Sequence, residues 1–168
     1  MGAVIVFGSV LAATIMSGQD GNIPLACGVV LLMGLVVGLL NGTLVARWRV
    51  PSFILTLGMA TAVSGITQLY TGGTAAGEVA PAFRAVFNGR IGIVPVPTLV
   101  FAAVVLGGLL VQLRTVVGRR IYLVGANPRA ALLSGVPVTR TRLTVFAISG
   151  VCAALAGLVL LARSGVSS

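Results

Sequence analysis

Lysine and histidine are absent from these 168 residues, and acids are reduced to Asp20 and Glu78. Each absence removes a class of chemistry. A phosphate-binding P-loop places Lys after its glycines, so a chain without Lys cannot supply a standard ATP site and has to borrow one. Without His, and with two widely separated acids, a metal centre, a Ser–His–Asp triad and a carboxylate pair all lack their parts. The residues therefore point away from an enzyme, and no cofactor or metal is expected. Cysteine is scarce too: Cys27 and Cys152 both fall inside apolar runs, where Cys ordinarily serves as a small buried hydrophobe. No cleavable leader is evident, since Met1 runs straight into apolar sequence with no basic start. That abrupt opening suggests a missing N-terminal piece.

What fills the chain is hydrocarbon. Hydrophobic residues make up 58% and charged residues 8%, with a mean hydropathy of +1.15, far from the ~25% charged residues of soluble domains. The expected fold class is all-α: a polytopic helical membrane protein of about five transmembrane segments, the first partial, forming one domain over residues 1–168. Its eleven basic residues are all Arg and sit at the ends of apolar segments. They are topology signals and not a nucleic-acid footprint.

In chain order, Ala3–Met16 is apolar but shorter than the ~20 residues a span requires. Ile23–Val45 is a full span, and along it Gly34, Gly38 and Gly42 recur every fourth residue, baring one helical face for close approach by another helix. Asn41 on the same span is an amide in hydrocarbon, which must find an internal partner or line a polar cavity. Arg47, Trp48 and Arg49 mark an interface. Ser52–Tyr70 is the next span and carries Thr56, Ser64, Thr67 and Gln68, polar groups that either bond between helices or face a pathway. Thr71–Pro95 is a connection with turn signals at Gly72-Gly73, Pro81 and Asn88-Gly89 and a short amphipathic piece at Glu78–Phe87. Val96–Leu113 and Thr144–Ala162 complete the spans, the latter with Gly150, Ala153, Ala154 and Gly157 at small-residue spacing.

Between the last two spans lies a polar, arginine-bearing island, residues 118–143, GRRIYLVGANPRAALLSGVPVTRTRL. Asn127 followed by Pro128 is a helix start, and Gly135 a stop. The helix they bound, Pro128–Ser134, is too short to hold itself in water, where isolated helices under ~12–15 residues are marginal. It must pack on its own membrane domain or on a partner. Eight arginines (Arg47, Arg49, Arg114, Arg119, Arg120, Arg129, Arg140 and Arg142) fall on one side, and Arg84, Arg90 and Arg163 on the other. By the positive-inside rule the 118–143 side is cytoplasmic and the 71–95 connection faces outward.

Three stretches resemble a known family. NGTLVARWRVPSFILTLGMATAVSGITQLYTGG from Asn41, NGRIGIVPVPTLVF from Asn88, and GRRIYLVGANPRAALLSGVPVTRTRLTVFAISGVCAALAGLVLLAR from Gly118 resemble, in order, motifs of the permease subunits of bacterial sugar ABC importers of the ribose, xylose, arabinose and galactoside group. Related permeases for branched-chain amino acids and nucleosides carry a similar loop. Family members are longer at both ends, so the chain looks like the middle of a permease in the bacterial inner membrane. The resemblance implies a translocation path for a monosaccharide, a second permease copy, an ATP-binding subunit on the cytosolic face, an outer sugar-binding protein, and a lipid bilayer around them. It makes the 118–143 island the coupling loop to the ATPase, with Gly118, Arg119, Arg120, Gly125, Asn127, Pro128, Ala130, Ala131, Leu132, Leu133, Ser134 and Gly135 as its residues. Gly34, Gly38, Asn41, Gly42, Thr56 and Gly58 are then residues of helix packing or of the pathway. From another class, a non-transporting assembly factor or channel subunit remains open. A channel would ordinarily show a repeated pore-lining motif, and a secondary transporter intramembrane ionisable groups; neither pattern is present.

Overall fold

A computed structural model describes residues 1–48, 51–72, 79–91 and 94–164. Among the described residues eight helices follow in order: α1 (Gly2–Met16), α2 (Ile23–Trp48), α3 (Ser52–Thr71), α4 (Pro81–Asn88), α5 (Val96–Arg114), α6 (Val116–Ala126), α7 (Pro128–Leu133) and α8 (Val138–Ser164). A 3₁₀ turn at Asp20–Asn22 precedes α2, and a two-residue antiparallel pair, β1 (Arg90–Ile91) with β2 (Val94–Pro95), precedes α5. Among the described residues, four stretches are long and apolar enough to cross a membrane: Asp20–Arg47, Ser52–Thr71, Val96–Arg114 and Val138–Arg163. At 1.5 Å per residue, even nineteen residues reach about 28 Å, close to a hydrocarbon core of ~30 Å.

Backbone chemistry sets the boundaries. α1 ends where Ser17 and Gly18 turn left-handed, at φ 42° and 73°, and α3 ends at Gly72, with φ 62°. Pro81 and Pro128 open α4 and α7 at the first helical turn, where their missing N–H costs nothing.

The centre is an antiparallel pair, α2 against α8. Gly34 meets Gly150 and Ala154, Gly38 meets Phe146 and Ala147, and Gly42 meets Phe146 and Leu143. α1 lies against both partners, with Gly8 on Val30 and Gly157 on Ile5. One end of the bundle holds the dry core: Ala12, Ala13, Met16, Ala26, Val30, Phe83, Leu158, Leu161 and Ala162 cluster there, and the rings of Phe83 and Phe87 of α4 meet at 4.7 Å, tilted by 39°. Asp20 secures that end by accepting a hydrogen bond from the Ala82 amide at 3.0 Å, a carboxylate at the positive end of α4. α5, by contrast, buries none of its residues and most of α3 is exposed, so both present apolar surface for lipid or further protein to cover.

Three expectations change. The helix that carries the final span starts at Val138, six residues ahead of Thr144, because the chain after Pro137 runs as one helix without interruption through Arg140 and Arg142 into the apolar stretch. The residues ahead of Asn127 form a helix of their own, α6, instead of a loop, and α7 stops at Leu133, leaving Ser134 as its cap. The amphipathic piece is Pro81–Asn88; Glu78, like Gly73 and Arg49, lies outside the described residues.

Candidate functional site

The island folds as a knuckle of two short helices at the end opposite the dry core. Its first element is an elbow. Thr115 leaves helical geometry after α5, and its hydroxyl both donates back to the Val111 carbonyl and accepts from the Gly118 amide at 3.1 Å, capping α6. Gly118 is then pressed onto α5: a Cβ there would stand 2.4 Å from the Gln112 Cα and from the carbonyl oxygens of Gln112 and Val111. No other residue type fits without opening the elbow. α6 buries Gly118 and Val124 and exposes Arg119, Arg120, Tyr122 and Leu123, a mixture of cationic and apolar groups suited to an interface.

α7 is closed at both ends by side chain and backbone. Asn127 Oδ1 accepts from the amides of Arg129 and Ala130, at 3.0 and 3.1 Å. At the other end the Val136 amide donates to Ala131 and the Gly135 amide to Leu132, with Gly135 at φ 76°: a Schellman turn that satisfies carbonyls otherwise left open. The Ser134 hydroxyl and amide both donate to Ala130. Of the six helical residues only Ala131 is buried, while Leu132 and Leu133 are 64% and 89% exposed. The helix is held by its caps and one alanine, and its two leucines face outward with none of the described residues covering them. Gly125 has open space around it and no tight neighbour.

Among the described residues, charge at this end is of one sign. Arg47, Arg114, Arg119, Arg120, Arg129 and Arg140 are exposed and Arg142 half-buried, whereas Asp20 lies at the opposite end.

Inside the bundle, Gly34, Gly38 and Gly42 form the seam with α8, whereas a Cβ on Gly58 would meet nothing within 4 Å among the described residues. Thr56 and Thr67 do not bond between helices; their hydroxyls donate to Phe53 and Val63 of their own helix, the usual recourse of Thr in hydrocarbon. Asn41 is 2% exposed, and its Oδ1 has no hydrogen-bond partner. It borders a small cavity shared with Val4 of α1 and with Thr56, Met59 and Ala60 of α3. Of the sequence's two options for this amide, an internal partner or a polar cavity, the described residues supply neither: the oxygen has no partner among them, and the recess beside Asn41 is lined mainly by apolar side chains. The elbow at Gly118 and the separate helix α6 were not anticipated, although Thr115 three residues before Gly118 carries the cap signature that announces them.

A profile of the family described as branched-chain amino acid transport system / permease component matches residues 1–168. The chain belongs to this permease family. Among curated proteins it is 35% identical to the ribose import permease protein RbsC of Haemophilus influenzae, over 97% of this chain and 51% of that one. It is 36% identical to the L-arabinose ABC transporter permease protein AraH of Azospirillum brasilense, over 96% and 47%. It is 32% identical to the xylose transport system permease protein XylH of Escherichia coli, over 87% and 53%. The chain thus spans about half the length of the curated relatives it matches. No solved structure matches it. The permease chain is a multi-pass, all-helical membrane protein, as its apolar spans indicated.

Proposed function

We propose that this permease chain forms part of the translocation path of an ABC importer for a monosaccharide of the pentose or galactose kind, driven by ATP hydrolysis on a separate subunit. The observation that carries the reading is α7: a doubly capped helix at the arginine-rich end, with Leu132 and Leu133 exposed at 64% and 89% and Ala131 seated on the bundle. A slim, rigid helix with two outward leucines suits the groove of a partner protein. In a chain without Lys, that partner is the source of ATP chemistry. The positive-inside rule puts this end in the cytosol, where an ATP-binding subunit resides.

In this reading the residues from Gly118 to Gly135 are the coupling loop. Gly118 fixes the elbow, Asn127, Pro128 and Gly135 fix the ends of α7, Leu132 and Leu133 enter the partner, and Ala130 and Ala131 keep the helix slim. Closure of two ATP-binding subunits would rock α7 and with it α5 and α8, exchanging outward and inward access. A second permease copy supplies the other half of the path, and an extracytoplasmic binding protein delivers sugar to the opposite end. Asn41, unpartnered in hydrocarbon beside Thr56, is the residue best suited to meet a sugar hydroxyl.

The relatives named for ribose, arabinose and xylose favour a sugar, while the family description favours branched-chain amino acids as the second reading. Uptake of radiolabelled ribose, arabinose, xylose, galactose and leucine into vesicles holding the permease, its ATPase and its binding protein separates them. ATP-dependent sugar uptake with no leucine uptake is the expected result; leucine uptake alone would replace the sugar reading with the second.

A further inference from the structure

The geometry points to a binding recess for the phosphate of an anionic phospholipid headgroup between α6 and α8, with an acyl chain running along α8. This goes beyond the import reading and does not depend on it. The recess is lined by Val117 and Arg120 of α6 and by Pro137, Arg140, Thr141 and Thr144 at the start of α8. Two arginines thus border one cavity from two different helices, and no acid among the described residues lines it, Asp20 belonging to the opposite end. The hydroxyls of Thr141 and Thr144 donate their protons to Pro137 and Arg140 of their own helix. The arginines are therefore the groups left to donate to an anion, and guanidinium groups bind phosphate in a planar, two-pronged fashion.

Depth in the bilayer identifies the occupant. From Leu143 to Ala162 α8 carries no charge, twenty residues that at 1.5 Å each match a hydrocarbon core of ~30 Å. Arg140 therefore stands at the level of the lipid phosphates. From the recess, Thr141, Thr144, Val145 and Ile148 descend one face of α8 at helical spacing, and Val145 and Ile148 are 40% and 44% exposed. A cationic recess that opens downward onto an exposed apolar stripe is complementary to a headgroup joined to its acyl chain, and a free anion would leave the stripe unused. Basic pockets between membrane helices on the cytoplasmic side take anionic lipid for this reason.

The test uses the purified permease in vesicles of phosphatidylcholine containing a trace of spin-labelled phosphatidylglycerol or spin-labelled phosphatidylcholine, with the motionally restricted fraction of each label read by electron spin resonance. The wild type should hold the glycerol lipid preferentially. Arg120→Gln with Arg140→Gln should lower that preference by roughly fivefold for each arginine lost, while Arg120→Lys with Arg140→Lys, which keeps the charge, retains most of it. Arg47→Gln with Arg114→Gln removes the same charge from the same end and should leave the preference intact. An equal loss in that control pair would mean diffuse attraction and overturn the assignment. So would displacement of the label by inorganic phosphate beyond the effect of chloride at equal ionic strength, which would mark a free-anion site. Loss of the preference on adding the ATP-binding subunit would mean that protein, not lipid, occupies the recess.

Discussion

Gly34 and Gly150 face each other backbone to backbone: a Cβ on Gly150 would stand 2.1 Å from the Gly34 carbonyl oxygen, and a Cβ on Gly34 2.5 Å from that of Gly150. The contact joins the two longest helices, α2 and α8, at mid-length, and no side chain stands between them to yield. Close approach of this kind supplies helix association in lipid, where apolar side chains gain little from meeting each other instead of acyl chains.

Substitution along this seam should therefore cost stability even for the smallest side chain. Gly150→Ala and Gly38→Leu are expected to lower the thermal midpoint and the folded yield in detergent, by an amount at or above the ~1–3 kcal/mol of ordinary core overpacking, since the opposing atoms are backbone. Gly107→Ala on α5, where nothing lies within 4 Å, should be neutral or stabilising by up to about 1 kcal/mol through helix propensity. Size-exclusion profiles against temperature compare the three. A Gly150→Ala protein as stable as the wild type would mean that the seam opens without cost.

The elbow between α5 and α6 gives a second contrast. Gly118→Ala drives a methyl group into Gln112 and Val111 and should separate α6 from α5, exposing the α6 backbone to proteolysis at the knuckle. Thr115→Val removes the hydroxyl that caps α6 and should cost about 0.5–2 kcal/mol without a clash. Limited trypsinolysis at Arg119 and Arg120 is the measurement: fast cleavage is expected for Gly118→Ala, slower cleavage for Thr115→Val, and least for the wild type. Equal rates in all three would show that the close approach does not hold the elbow.

Much of this architecture was legible because hydrophobic length and small-residue spacing are local signals. The glycines of α2 announced a close helix partner, and the Asn127–Pro128 and Gly135 pair bounded α7 to within one residue. What was not legible depends on contacts between distant segments. The charge of Arg140 and Arg142 suggests a loop, yet both sit on the first turns of α8, because long Arg side chains can reach the interface from a helix that begins outside the hydrocarbon. That Asp20 caps α4, sixty-two residues away, has no local signature. Nor could the sequence separate Gly58, open to its surroundings, from Gly42, packed on α8, since both occur in similar apolar runs.

Asn41 allows stability and transport to be read apart. Its Oδ1 is buried without a partner, a condition that costs a protein about 1–3 kcal/mol. Asn41→Leu should therefore fold as well as the wild type or melt higher, while ATP-driven sugar uptake falls, because the hydrocarbon of the path then offers no acceptor to a hydroxyl. Asn41→Gln keeps the amide and should retain part of the uptake. A leucine variant that is more stable and transports normally would remove Asn41 from the path.

Orientation follows from chemical access to two exposed positions. In a background lacking Cys27 and Cys152, a cysteine at Ser134, beside α7, should react only with reagent on the cytosolic side, and one at Val86, 61% exposed on α4, only from outside. Opposite labelling follows from the arginine imbalance between the two ends. Both cysteines reacting from one side would invert the assignment of α7 to the cytosol.

α7 then separates seating from docking within a single turn. Leu133 is 89% exposed and Ala131 3% exposed on nearly opposite faces of that turn, so they bear on different surfaces. Leu133→Ser should leave the melting temperature of the permease within about 0.5 kcal/mol of the wild type, as exposed substitutions ordinarily do, yet reduce co-purification of the ATP-binding subunit at least tenfold if the leucine enters that partner's groove, roughly 1.4 kcal/mol or more of lost association. Ala131→Glu should instead lift α7 off the bundle, disturbing both stability of the knuckle and docking while membrane insertion stays intact, since the loop lies beyond the hydrocarbon. Gly135→Val, which forbids the left-handed turn at φ 76°, should act like Ala131→Glu and unlike Leu133→Ser. If all three variants hold the ATPase and support uptake as the wild type does, α7 is a connector and the force that drives transport enters the permease elsewhere.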